Sequence, residues 1–162
     1  MVKLVKMTGG VLLACSMSQF PEYSQQYVQR LGGAVDELTT VVQDFDQSAQ
    51  VTGQDREDAL LSMQGTEFLS RRQDDMRRTI TRQEELTENY AALQDASAFE
   101  RLLSISKFTD TGITERTWDD FQPAIPLTVD GLIFTVAGYL AGYAAVGGVT
   151  GLRRRKRRRR LI

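Results

Sequence analysis

Residues 131–152 carry no charged side chain and run directly into Arg153, Arg154, Arg155, Lys156, Arg157, Arg158, Arg159 and Arg160. Those 22 residues make about 33 Å of helix, enough for a hydrocarbon core of about 30 Å. Leu132, Ile133, Phe134, Val136, Leu140, Val146, Val149 and Leu152 favour insertion, by about 2 to 5 kcal/mol together. The basic run is a strong stop. A buried core helix is the alternative, but the density of glycine suits lipid better than water. Trp118 and Phe121 precede the segment and suit the opposite interface as part of an aromatic belt.

The other end is shorter. Residues 7–20 are uncharged over 14 positions, about 21 Å of helix. A start at Val2 with Lys3 and Lys6 snorkelling gives 19 residues, about 28 Å and a sufficient span. A basic start followed by a short apolar core also describes a cleavable signal peptide. Leu12-Leu13-Ala14-Cys15 resembles a bacterial lipoprotein processing site. We expect a retained helix, with Cys15 neither lipidated nor a mature N-terminus.

Charge is segregated. The formal net charge is -1, yet all 21 acidic residues and only 10 of the 20 basic ones lie within residues 21–130, a net of -11 there. The remaining basic residues are Lys3, Lys6 and the eight of the tail. Short flanks rich in Lys and Arg stay cytoplasmic, so both termini are expected inside and the acidic middle in the periplasm. With no histidine and one cysteine, Cys15, the chain cannot form an internal disulfide, a Cys/His zinc site, a Cys-His dyad or a Ser-His-Asp triad.

The middle reads as helices. Pro21 suits a first helical turn. After it Tyr27, Leu31, Ala34, Leu38, Val41 and Phe45 alternate steps of four and three, with Val35 and Val42 widening the stripe. Gly32-Gly33 interrupts it and marks a bend or a close helix contact. Thr52 and Asp55 form a capping box for a short helix through about Met63, and Gly65-Thr66 mark a stop and a new start. No proline or glycine occurs from Glu67 to about Phe108, where Leu69, Met76, Ile80, Leu86, Tyr90, Leu93, Phe99, Leu102 and Leu103 give an imperfect helical stripe. Asp74 and Arg78 are spaced to pair on its exposed face. Asp110-Thr111-Gly112 breaks this helix, and Pro123 and Pro126 punctuate the return to the membrane.

The predicted fold class is therefore an all-α membrane protein. It has two transmembrane helices and an intervening periplasmic antiparallel helical hairpin. The expected divisions are 1–20, first span; 21–125, acidic helical domain; 126–152, second span; and 153–162, basic cytoplasmic tail.

Ser18-Gln19-Phe20-Pro21-Glu22, Gln25-Gln26-Tyr27, Gln29-Arg30-Leu31-Gly32-Gly33, Asp36-Glu37-Leu38 and Asp44-Phe45-Asp46 together resemble a known family. It is an uncharacterised proteobacterial inner-membrane family catalogued only as a domain of unknown function, with two hydrophobic ends. The likeness covers most of the chain and implies an inner-membrane location. It implies no catalytic residues, and its members need not have Cys15 or so long a basic tail.

The sharpest functional signal is glycine. Gly138-x-x-x-Gly142 and Gly147-x-x-x-Gly151 are motifs that let membrane helices touch backbone to backbone. At 100° per residue the second pair lies about 180° from the first. One face is expected to receive the N-terminal helix, through Gly10, Ala14 and Ser18, and the other a partner. The plain alternative is that glycine is simply common in membrane helices. Tyr139 and Tyr143 fall on a third face with Leu132, Val136 and Val146, where each hydroxyl needs a partner. Arg153, Arg154, Arg155, Lys156, Arg157, Arg158, Arg159 and Arg160 are expected to meet anionic lipid at about 1 kcal/mol per charge. Adjacent carboxylates such as Asp74-Asp75, Glu84-Glu85 and Asp119-Asp120 point apart on a helix and read as a solvated face.

No catalytic, cofactor or metal site is expected. The expected partners are membrane lipid and other integral membrane subunits, with no specific nucleic acid. The favoured role is a non-enzymatic structural or accessory subunit of a larger bacterial inner-membrane complex, respiratory, photosynthetic or transport. The alternative is a free-standing, membrane-tethered periplasmic binding protein, a lipoprotein if Cys15 is processed.

Overall fold

The structure is a computed structural model that describes residues 2–125 and 127–159, with side chains for 3–125 and 127–149. It is all-helical over the described residues: α1 (Val2–Ser18), α2 (Phe20–Val51), α3 (Arg56–Ser62), α4 (Glu67–Leu93), α5 (Ala98–Leu103), a 3-10 turn (Ile105–Lys107), α6 (Thr111–Asp119) and α7 (Val129–Arg159). The chain forms two compact units, Gln26–Asp119 and a second made of Met1–Gln25 with Asp120–Ile162.

In the unit of residues 26–119, α2 and α4 form an antiparallel hairpin. Gly32 lies under the ring of Tyr90, Thr39 accepts from the Gln83 amide at 3.1 Å, and Val42 packs with Ile80. A Cβ at position 32 would stand 3.0 Å from Tyr90 Cε2, so the glycine interrupts the stripe to admit the ring. The core gathers Tyr27, Val28, Leu31, Val35, Leu86, Leu93 and Ile113, with Phe108 against Tyr27 at 4.4 Å between centroids. Val41, expected on the seam, is exposed, while Val42 and Ala49 are buried. A straight helix drifts about 20° per heptad, so a strict heptad stripe rotates off the partner within two turns of the repeat.

The loop after α2 is short and braced. Gly53 and Gly65 take positive φ, +72° and +107°, which glycine adopts without strain. Asp55 alone caps α3, its carboxylate accepting from the Asp58 N–H. Thr52, expected to share that cap, instead bonds back to the Ser48 and Ala49 carbonyls at the end of α2. Leu60 of α3 packs on Val42 and Ile80, and the Arg56–Asp46 and Arg77–Glu57 pairs tie α3 to both long helices. Thr66 caps α4 as its position after Gly65 predicts.

The expected continuous helix from Glu67 to Phe108 is broken at Gln94–Ser97. The cause is polar rather than a glycine or proline. Ser97 and Glu100 form a reciprocal capping box that starts α5, and Arg101 folds back to donate to the Leu93 and Gln94 carbonyls at 3.0 and 3.1 Å. These groups satisfy a helix start and a helix end at once. Arg78 pairs with Asp75 rather than Asp74, one residue nearer on the same side. Asp110 is the start of α6 more than a stop, accepting from the Ile113 N–H at 2.8 Å.

Asp110 also carries a pH dependence. Burial pushes its carboxyl up, but the Ile113 N–H and the Arg82 guanidinium at 2.9 Å more than offset this, and it lies below its ordinary value. Asp46 is held low by the Arg56 guanidinium. A carboxylate depressed in the folded state contributes stability that is present above its unfolded value of about 4 and lost as pH falls through the folded value. The unit of residues 26–119 is therefore expected to weaken steadily below about pH 4. Asp110→Asn should lower stability at neutral pH and flatten the acid limb, as read by thermal melts across pH. An unchanged acid limb in that variant would exclude the role.

In the other unit α1 packs antiparallel on α7. Gln19 separates α1 from α2, and Pro21, with no N–H, cannot extend the α1 ladder. The Gln19 amide grips the Ala124 backbone from both sides, donating to its carbonyl at 3.2 Å and accepting from its N–H at 3.1 Å. Phe20 stacks on Phe134 at 5.6 Å, and Tyr23 meets Phe121 edge-on at 5.8 Å. Among the described residues one helix is long and apolar enough to cross a membrane, Val129–Val149; α1, at 17 residues, is shorter. α7 does not stop at the basic run but continues to Arg159. Lys and Arg are good helix formers and suit a helix C-terminus.

Candidate functional site

The glycine seam between α1 and α7 is the most specific constellation in the chain. Gly131, Phe134, Gly138 and Gly142 are buried on α7, and Gly10, Ala14 and Ser18 on α1. A Cβ at Gly138 would stand 2.8 Å from the Leu13 carbonyl oxygen and 3.0 Å from Ala14 Cα. One at Gly142 would stand 2.5 Å from the Gly9 carbonyl oxygen and 3.0 Å from Gly10 Cα. The two backbones therefore touch, and any side chain at either position must push the helices apart.

Of the two glycine pairs, Gly138 and Gly142 form the face that receives the N-terminal helix. Gly9 belongs to the seam as much as Gly10, a position the step-of-four reading of Gly10, Ala14 and Ser18 passes over. A Cβ at Gly9 would meet Val146 Cγ2 at 2.5 Å. The sequence signal was present as the Gly9-Gly10 doublet, since a crossing helix covers two adjacent rows.

Of the two tyrosines, Tyr139 is turned to the seam rather than to a separate face. The Tyr139 ring lies over Gly10, where a Cβ would stand 2.9 Å from Tyr139 Cδ2 and Cε2. It sits at the rim of the seam because residue 139 is only about 60° from residue 142 around the helix. Tyr143 is one turn on, its ring 6.3 Å from that of Tyr139, with Lys6 Nζ 5.4 Å above it in cation–π contact. Leu132 and Val136 point away and are exposed.

The opposite face is not bare. A Cβ at Gly147 would meet Lys6 Nζ at 3.1 Å, so the Lys6 chain wraps the rim of α7 past Tyr143 and ends against this glycine. Gly148 has open space around it. Gly151 is described only as part of α7, and so are Arg153, Arg154, Arg155, Lys156, Arg157, Arg158 and Arg159; Arg160 lies outside the described residues.

A shallow apolar groove runs beside the seam, lined by Val11, Cys15, Val136, Tyr139 and Leu140 among others, and Cys15 is exposed within it. Among the described residues no three acidic or cysteine side chains gather as metal ligands.

Comparison with curated proteins and with solved structures finds no match. A family model does match, over residues 1–159, so both hydrophobic ends and the helical unit fall within one family unit. The chain belongs to the family described as Protein of unknown function (DUF2937).

Proposed function

We propose that this protein is a membrane-anchored, non-enzymatic accessory subunit of a larger bacterial inner-membrane assembly, held in the bilayer by the α1–α7 hairpin. One observation carries the reading. The hairpin buries its glycines and turns its large apolar side chains outward: Leu4, Val5, Met7, Val11 and Leu12 on α1, and Leu132, Ile133, Val136, Leu140 and Val149 on α7 are exposed. In water that arrangement leaves the hydrophobic drive unused; in lipid it is the favoured one, because close backbone packing holds the helices together and side chains meet acyl tails.

The α1 helix of 17 residues spans about 26 Å, a few ångströms short of the hydrocarbon core. Snorkelling of Lys6 across α7 and the following Gln19–Phe20 segment make up the difference. The basic ends orient both termini to the cytoplasm, leaving the acidic helical unit in the periplasm. The tail residues Arg153–Arg160 meet anionic lipid on the inner face.

The lipid-facing flank then offers apolar surface to neighbouring subunits. Native-gel migration of a mild-detergent extract tests the role. The protein is expected to run within a band much larger than 18.2 kDa that holds other integral proteins. Migration alone would favour a free-standing tethered binding protein. Topology is read in parallel on a Cys15→Ser background in intact spheroplasts: an impermeant thiol reagent is expected to label Ser97→Cys and spare Leu161→Cys. The reverse pattern rejects the orientation.

A further inference from the structure

We draw no further inference here: the strongest candidate, the shallow apolar groove beside the α1–α7 seam that Val11, Cys15, Val136, Tyr139 and Leu140 help to line, carries nothing because nothing in the structure shows what covers it.

Discussion

Replacing both Gly138 and Gly142 by leucine is expected to open the α1–α7 hairpin. At these positions a first side-chain atom already falls 2.5–2.8 Å from a backbone carbonyl oxygen of α1, and backbone cannot swing aside as a flexible side chain can. Overpacking a well-fitted contact costs about 1–3 kcal/mol per site, and here the whole leucine must be housed between two helices in contact. The measurable result is loss of protease resistance in residues 2–18 and a lower melting temperature in detergent. Gly148→Leu is the control, because nothing lies within 4 Å of that position; it should leave the hairpin intact. Equal stability of the double variant and the control would mean that the glycines are composition and not a seam. Gly147→Leu is intermediate in kind, since the neighbour it meets is the far end of Lys6, which can move.

Leu31→Ala is expected to have the largest effect in the helical unit. Leu31 is completely buried among Tyr27, Val35, Leu86, Leu93 and Ile113, where three helices converge. Truncation removes the transfer free energy of the lost carbons and leaves a cavity that α2, pinned by Gly32 under Tyr90, cannot collapse to fill. The cost is about 2–5 kcal/mol, or about 4–8 °C of melting temperature per kcal/mol for a domain near 100 residues. Val41→Ala, on the same helix but rotated out of the core, should cost well under half as much. Equal effects at the two positions would mean that α2 packs on the strict heptad stripe and not on the drifted one. Thermal unfolding of the two variants side by side separates the cases.

The sequence by itself determined the helices and most of their punctuation. Period, charge-free length and capping residues act locally, so an all-helical chain, the start at Thr66, the close contact at Gly32 and the long apolar C-terminal helix were legible from residue order. So was the existence of a small-residue face on that helix. The Ser97–Glu100 box is equally local, a polar start signal that begins a new helix without any glycine or proline before it. Tertiary structure decided what depends on a neighbour. Which glycine pair faces α1 follows from how the turn at Gln19–Phe20 and the Gln19–Ala124 bonds set the register of two antiparallel helices, and spacing within one helix carries no such information. The turning of Tyr139 into the seam and the reach of Lys6 to Gly147 follow from that register. The exposure of Phe99 and Leu103 has the same origin: a helical stripe predicts one apolar face, but only the Arg101 clamp on the end of α4 determines that this face points outward.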